Sequence, residues 1–430
     1  MKIEQLYKLF LQYRKITTDS RNIESNSIFF ALKGENYDGN KYAKSALDNG
    51  CSCAVIDNPE YNKGENYIFV DSVLETLQLL ANYHRKQLNI PIIAITGTNG
   101  KTTTKELVSN VLEKKFKIAN TKGNLNNHIG VPLTLLSMTR NTEIGVVEMG
   151  ANHVSEIKLL SEIANPDFGI ITNIGKAHLE GFGSFDNIVK TKAELYEFIK
   201  DKGGKVFYNT DNIILKRLID QLELNATPFG DKNSEVYGEV DNSEQFLTLN
   251  ISIGDYHSKI CTQLIGNYNL ENILAAASIG HYFEVDSKLI AQAIEEYTPQ
   301  NNRSQFLKTK KNNLFLDAYN ANPTSVEASI KNFASLNNSN TCIILGDMLE
   351  LGKDSIKEHK SIIKLLHSYS FDKIILVGEI FYSIKLNDDF TRFKSTEELI
   401  DWLRINSINN LNVLIKGSRG IQLEKIVEFL

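Results

Sequence analysis

Cysteine is scarce: Cys51, Cys53, Cys261 and Cys342 are the only thiols in 430 residues, too few and too scattered for a disulfide framework or a four-thiolate zinc site. A reducing cytoplasm is the expected compartment. Cys51-Ser-Cys53 precedes Ala-Val-Ile and reads as two half-buried small residues of a strand rather than a redox pair. Long apolar runs are missing as well. None approaches the ~20 residues of a membrane-spanning helix, and Met1-Lys-Ile-Glu-Gln-Leu-Tyr lacks the apolar core of a signal peptide, so neither membrane insertion nor secretion is expected. Nor is there an excess of positive charge. The 47 Lys plus Arg stand against 52 Asp plus Glu, a net charge of -5, which leaves no overall basic field to collect nucleic acid. A polyanion must then be bound at a local site.

What is present is ordinary globular composition, 42% hydrophobic and 23% charged, without an internal repeat. At ~100 to 200 residues per domain the length corresponds to two to four domains. From Ile92 onward, β-branched runs (Ile92-Ile-Ala-Ile, Ile144-Gly-Val-Val, Phe168-Gly-Ile-Ile, Lys205-Val-Phe-Tyr) alternate with amphipathic stretches, which predicts a parallel sheet covered by helices. A second series of the same kind follows Thr298-Pro299: Leu314-Phe-Leu-Asp, Thr341-Cys-Ile-Ile-Leu, Lys373-Ile-Ile-Leu-Val and Asn412-Val-Leu-Ile. The polar and apolar alternation over about 225–265 predicts an antiparallel addition to the central unit. The expected fold class is therefore α/β in three domains. These are a small mixed α/β domain over 1–85, a central P-loop parallel-sheet domain over 86–298, and a Rossmann-like α/β domain over 299–430.

The segment Ile92-Ile-Ala-Ile-Thr-Gly97-Thr98-Asn99-Gly100-Lys101-Thr102-Thr103 reads as a buried strand, a glycine-containing loop and a helix start. Backbone N–H groups and the helix N-terminus suit a nucleotide phosphate, Lys101 reaches the terminal phosphates, and a threonine hydroxyl can ligate magnesium. The strict G-x-x-x-x-G-K-[ST] spacing is not met, because Ile95 stands five residues before Gly100. A phosphate site alone leaves a motor, a switch, a kinase and an ATP-driven ligase open.

Other polar residues gather at predicted strand ends. Glu148 closes a strand and is suited either to magnesium or to a helix-start cap. His178 follows another strand, where an isolated histidine is commonly solvated or packed. Lys192 would ordinarily be a solvated helix lysine. Asn124, Asn126, Asn127 and Asn272 can read a base or sugar, or serve in turns and caps. In the last domain Asp317, Tyr319, Asn320 and Asn322 lie between a strand and a helix, where Asp317 could grip ribose hydroxyls or cap the turn. Lys416-Gly-Ser418-Arg419 offers a second anion-binding corner.

Taken together these residues resemble the Mur ligase family over nearly the whole chain. The resemblance is carried by Thr18-Asp19-Ser20-Arg21, Ala31 to Gly39, Thr96 to Lys105, Gly123 to Pro132, Glu148 to His153, Ala177 to Ser184, Asp317 to Pro323, the stretch Leu345-Gly-Asp-Met-Leu-Glu-Leu-Gly352, and Lys416 to Arg419. The Asn-Asn run, Tyr-Asn-Ala-Asn-Pro and Leu-Gly-Asp-Met-Leu-Glu-Leu-Gly favour the branch that joins D-Ala-D-Ala to UDP-MurNAc-tripeptide. The alternatives are a sister branch adding a diamino acid, and a nucleotide-binding homologue without catalysis.

The resemblance implies a monomer whose first domain holds the UDP-sugar, whose central domain binds ATP, and whose third domain binds the dipeptide and swings over the second. It implies Gly97 to Thr103 on the phosphates, Lys101 as the neutralising cation, and two magnesium ions, one held by Thr102 and Glu148, the other by His178 and a carbamylated Lys192. It further implies Asn272 at the adenine, Asp317 at the ribose, Arg303 at the phosphates, and Ser20 and Arg21 at the uridine diphosphate. The substrate side would include Asn124, Asn126, Asn127, Tyr319, Asn320 and Asn322, with Lys416, Ser418 and Arg419 at the dipeptide carboxylate. Four residues depart from the family pattern: Leu316 and Ala318 flank Asp317 where two acidic residues usually precede Tyr-Asn-Ala-Asn-Pro, Asn302 replaces Gly, and Asn40 replaces His.

Overall fold

Runs of β-branched residues become parallel strands throughout the chain, and the faces they present decide how the three domains pack. A computed structural model describes residues 2–242, 245–300, 302–336, 339–385 and 390–430. The N-terminal domain has a four-stranded parallel sheet in the order Ile16–Thr17, Ile28–Phe30, Cys53–Ile56, Tyr67–Phe69. Cys51 and Cys53 are buried there as free thiols, Cys53 within its third strand. The helix Val73–Leu88 follows, capped by Ser72, whose hydroxyl accepts the Glu75 N–H; it turns Val73, Leu77, Leu80 and Ala81 inward at helical spacing. Asn40 is fully buried as a knot. Its amide donates to Asp38 and Asp57 at 2.7 and 2.9 Å and its oxygen accepts the N–H groups of Asp57 and Asn58. Asn40 thus serves as a structural crosslink.

The central sheet has six parallel strands in the order Ala226–Phe229, Lys205–Asn209, Phe168–Ile171, Ile92–Thr96, Ile144–Glu148, Ile118–Asn120. All five residues of Ile92–Thr96 and of Ile144–Glu148 are buried, as expected of a sheet covered on both faces. Alternation divides the core. Ile92, Ala94 and Val147 face the helices Val73–Leu88, Glu156–Ala164 and Phe185–Lys202, in one apolar core with the N-terminal domain. Ile93, Ile95 and Val146 face the helices Lys101–Leu112 and Asn269–Tyr282. The antiparallel addition comprises Val236–Asn242, Thr248–Ile253 and Tyr256–Cys261. It begins later than its expected start near 225, because Ala226–Phe229 pairs in parallel with residues 206–209 and extends the main sheet instead.

In the C-terminal domain the order is Gln305–Lys308, Asn313–Leu316, Asn412–Lys416, Thr341–Gly346, Lys373–Val377, Thr391–Phe393. Only the first edge strand is antiparallel. Leu316 and Ala318, the apolar neighbours of Asp317, are buried in this core. The joint with the central domain is at Ser304. Its carbonyl accepts the Ile265 N–H at 3.5 Å, and its hydroxyl meets Asn269 Nδ2 at 3.1 Å and Tyr268 OH at 3.3 Å. No helix of the described residues is long and apolar enough to cross a membrane.

Candidate active site

The carboxyl ends of the central strands and those of the C-terminal sheet open onto one cleft of about 780 Å³. Ligands gather at such strand ends in open α/β sheets. On the central side the strand Ile92–Thr96 stops at Gly97 and the helix Lys101–Leu112 starts after Gly100, which takes φ 78°. A side chain at either glycine is excluded by contact. A Cβ at residue 97 would come 2.0 Å from Thr172 Oγ1, and one at residue 100 would come 2.3 Å from Asn272 Oδ1. The loop between them is pinned from behind. Asn99 N–H donates to Asn173 Oδ1 at 3.0 Å, Thr172 Oγ1 donates to Asn99 O at 2.6 Å, and Gly175 N–H donates to Thr98 Oγ1 at 2.9 Å. Asn173 is not singled out by the sequence, since its bond joins the loops that follow two neighbouring strands remote in the chain.

Lys101 folds over this loop, its ammonium donating to the carbonyls of Gly97 and Thr98 at 2.9 Å each. Burial lowers its pKa to about 8; the Glu148 carboxylate opposes the shift and the Arg303 guanidinium adds to it. Glu148 ends the strand Ile144–Glu148 and is 2% exposed. It caps no helix: the next one, Glu156–Ala164, begins after Ser155, and the carboxylate of Glu156 accepts the N–H groups of Asn152 and His153. Glu148 Oε1 accepts from Asn126 Nδ2 at 2.7 Å, while Oε2 is buried without a hydrogen-bond partner. An orphaned carboxylate oxygen and a buried threonine, Thr102, lining the same cleft are donors of the kind that fits a hard divalent cation.

His178 holds a left-handed backbone, φ 50°, ahead of the short helix Leu179–Phe182, and its Nδ1 lies against the Glu350 carboxylate of the C-terminal domain. Lys192 is far from the solvated helix lysine of the sequence reading, being 3% exposed within Phe185–Lys202. Its ammonium lies 5.7 Å from the centre of the Phe182 ring and has no hydrogen bond or ion pair among the described residues. Burial, reinforced by the charge of Lys101, brings its pKa down to about 7 against the opposing pull of Glu156 and Glu194. The asparagines at 124, 126 and 127 divide in role. Asn126 orients Glu148, Asn127 Oδ1 accepts the N–H groups of Ile129 and Gly130 at the start of the helix Gly130–Leu136, and Asn124 is exposed at the cleft.

The opposite wall belongs to the C-terminal domain. The Arg303 guanidinium stacks 3.5 Å from the Tyr319 ring centre, and Arg419 reaches the hydroxyl of the same tyrosine at 3.4 Å. Arg303 Nε is buried without a hydrogen-bond partner. Asn322 caps the helix Pro323–Ser335 through Ser325 and also donates to Asn99 Oδ1 at 2.7 Å, tying the wall to the phosphate loop. Asn320 is exposed and accepts the Ala321 N–H. Asp317 accepts from Lys416 at 2.5 Å and from Ser329 at 3.2 Å. Lys416 is therefore aimed at Asp317, and Ser418 is spent on the Leu349 N–H and the Ala321 carbonyl. Arg419 is the one of the three exposed at the cleft. Asn272 sits under Gly100, accepting from Thr104 at 3.0 Å and donating to Asn269 at 2.8 Å.

Thr98 to Thr103, Glu148, His178, Asn272, Arg303, Asp317, Tyr319 and Arg419 thus line one space. Gly97, Lys192 and Ser418 stand behind its surface, and Ser20 and Arg21 lie outside it in the N-terminal domain, where Arg21 pairs with Asp19 at 2.8 Å. Among the described residues no group of three or more His, Cys, Asp or Glu side chains forms a ready-made metal cage.

Comparison with known proteins agrees with this layout. Residues 12–85 match the family model "Mur ligase family, catalytic domain", residues 95–280 the "Mur ligase middle domain", and residues 302–419 the "Mur ligase, glutamate ligase domain". A UDP-N-acetylmuramoyl-tripeptide--D-alanyl-D-alanine ligase of Bacillus subtilis is 33% identical over 426 residues, covering 96% of this chain and 92% of the relative. A crystal structure of MurF from Acinetobacter baumannii superposes with a TM-score of 0.87 at 29% identity, over 97% of this chain and 93% of that one. MurF ligase from Thermotoga maritima, in complex with ADP, gives 0.86 at 25% identity over 97% of both. With three domains in this order around a shared phosphate-loop cleft, the chain belongs to the Mur ligase family.

Proposed function

We propose that this chain joins D-alanyl-D-alanine to UDP-MurNAc-tripeptide at the expense of ATP, forming the UDP-MurNAc-pentapeptide precursor of peptidoglycan. The terminal carboxylate of the tripeptide attacks the γ-phosphorus and ADP leaves. The dipeptide amine then adds to the acyl phosphate and loses a proton, and phosphate departs from the tetrahedral intermediate. The observation that carries this reading is the cleft itself, in which a phosphate loop faces Arg303, Asp317 and Tyr319 of the C-terminal domain. The named activity of the Bacillus subtilis relative supports the same reaction.

In this reading Gly97 to Thr103 cradle the phosphates, and Lys101 exchanges two loop carbonyls for phosphate oxygens as the carboxylate approaches. Two polyanionic groups are brought together here, so fixed cations matter most where charge develops. Thr102 and Glu148 would hold one magnesium ion and His178 with Lys192 the other; when bound, they neutralise phosphate charge. Burial lowers the Lys192 pKa and so favours its neutral amine, the form that adds carbon dioxide. Carbamylation of Lys192 would convert a buried, unpaired cation into an anion. Asn272 serves the adenine side, Asp317 the ribose, Arg303 the phosphates, and Ser20 and Arg21 the uridine diphosphate. Arg419, with Tyr319, receives the dipeptide carboxylate; Lys416, which lines the same cleft, and Ser418 behind it support that corner. Asn124, Asn126, Asn127, Asn320 and Asn322 border the substrate path, and the chain works as a cytoplasmic monomer.

The test is phosphate release with product identification by mass spectrometry. Release requiring ATP, magnesium, UDP-MurNAc-tripeptide and D-Ala-D-Ala together is expected. Release indifferent to the dipeptide, or supported by free lysine or diaminopimelate with UDP-MurNAc-dipeptide, would count against this assignment.

A further inference from the structure

Segment 345–352 leaves the strand Thr341–Gly346 at its carboxyl end and is held at several points. Asp347 accepts the N–H groups of Ile380 and Phe381 at 2.8 and 2.9 Å. Met348 N–H donates to His359 Nε2 at 3.0 Å, and Leu349 N–H donates to Ser418 Oγ at 2.9 Å. His359 is locked in turn, since its Nδ1 donates to Ser355 O at 2.8 Å. The accepting nitrogen carries no proton, so the buried ring is neutral, in keeping with a pKa that burial holds below the ordinary range.

The residue these anchors aim is Glu350. Its backbone takes φ 64°, a conformation that side chains rarely adopt, and it faces His178, which takes φ 50°. The Glu350 carboxylate lies against His178 Nδ1, although that nitrogen has no aligned hydrogen bond. The Glu350 carbonyl accepts the Glu180 N–H at 3.3 Å, and a Cβ on Gly352 would come 3.2 Å from the Glu180 side chain. Two residues in sparsely populated backbone conformations thus face each other across a domain boundary, and such strain persists where the surroundings over-determine it.

We propose that Glu350 is a positioning residue delivered by the C-terminal domain, which sets the orientation of the His178 imidazole so that it is aligned only when the two domains are closed on each other. The inference rests on the reading of His178 as a residue of the reacting end. A carboxylate on one ring nitrogen fixes the tautomer and leaves the other nitrogen, Nε2, to face the cleft chemistry. Closure would then be reported to the reacting end by a single side chain.

The experiment compares the full chain as wild type, E350A, E350D and K176A. Lys176 makes a separate pair across the same boundary, with Glu358 at 3.0 Å, and so tests closure without touching His178. E350A is expected to lower kcat about 10- to 100-fold, the usual cost of losing such an outer partner, with KM for ATP within about twofold. E350D should recover part of that loss, and K176A should cost less than about threefold. In nitrogen-15 spectra of histidine-labelled protein, addition of ADP and UDP-MurNAc-tripeptide should shift the His178 Nδ1 signal in wild type and K176A but not in E350A. Wild-type kcat in E350A, or the same kcat and spectral changes in K176A as in E350A, would overturn the proposal. Absence of ligation by the wild type would instead remove the ligase reading, because the His178 spectrum reads the contact without turnover.

Discussion

Lys416 Nζ stands 2.5 Å from Asp317 Oδ2, joining the last strand of the C-terminal sheet to the end of the strand Asn313–Leu316. With the lysine side chain 2% exposed, this pair is part of the domain's interior as well as of its cleft. Lys416→Met would leave the carboxylate without its cation. The expected cost is about 3 kcal/mol of stability, the scale for breaking a buried pair from one side. Urea denaturation of the full chain measures it, and an unchanged midpoint would refute the structural importance of the pair.

Lys101→Ala removes the ammonium that lies over the phosphate loop. Turnover should fall by at least ~100-fold, the loss seen when a preorganised charge-stabilising group is deleted. Near-normal phosphate release would rule out its catalytic role.

Gly100→Ala combines a left-handed backbone with a Cβ 2.3 Å from Asn272 Oδ1. Either the loop must shift or the Asn272 side chain must leave its bonds to Thr104 and Asn269, and ADP affinity should drop by about tenfold or more, equivalent to ~1.4 kcal/mol. Titration with a fluorescent nucleotide decides this; affinity equal to wild type would show that the loop tolerates the side chain.

Lys192→Ala should lose turnover and regain part of it with added formate or acetate, which can occupy the space of a carbamate. A carbon-13 carbamate signal in wild-type protein supplied with labelled bicarbonate, absent from the variant, is the companion expectation. No rescue and no signal would exclude the modification.

His84 links the first two domains: Nε2 donates to Met138 O at 3.0 Å and Nδ1 accepts from Tyr7 OH at 3.2 Å. That pattern requires a neutral ring, and burial holds its pKa below the ordinary value of 6.5. The unfolded chain therefore binds a proton before the folded one does. Stability should be independent of this group above pH 6.5 and fall as the pH drops from there toward the lowered folded pKa, by at most about 1.4 kcal/mol per pH unit. His84→Gln should flatten that acid limb in pH-dependent thermal unfolding; an identical limb would show that other groups carry it.

The parts of this molecule that could be read from its sequence are those in which neighbours along the chain also cooperate in space. Ile92 to Lys101 is such a unit: a β-branched strand, two glycines and a helix start carry their own geometry. The edge strands Gln305–Lys308 and Thr391–Phe393 were not foreseen, because three or four residues are too short to display a period. Glu148 and Lys192 were candidates with two readings each, and only burial separates them, since nothing local says which helix face or strand end is covered. Lys416 and Ser418 lie in an anion-binding type of turn, and that much is local. Their partners, Asp317 and Leu349, are remote in sequence, and a pairing of that kind has no local signal. The pairing of Glu350 with His178 was hidden for the same reason, although both of their segments were recognisable.

The three hydrogen bonds that fasten Ser304 to residues 265, 268 and 269 place an axle at the entrance to the last domain. Arg303 adjoins this fastening, so in the domain swing that the family resemblance implies it would be displaced least and the far rim most. On the proposed reading a nucleotide would thus meet Arg303 early, while the outer end of the domain still has its longest arc to travel.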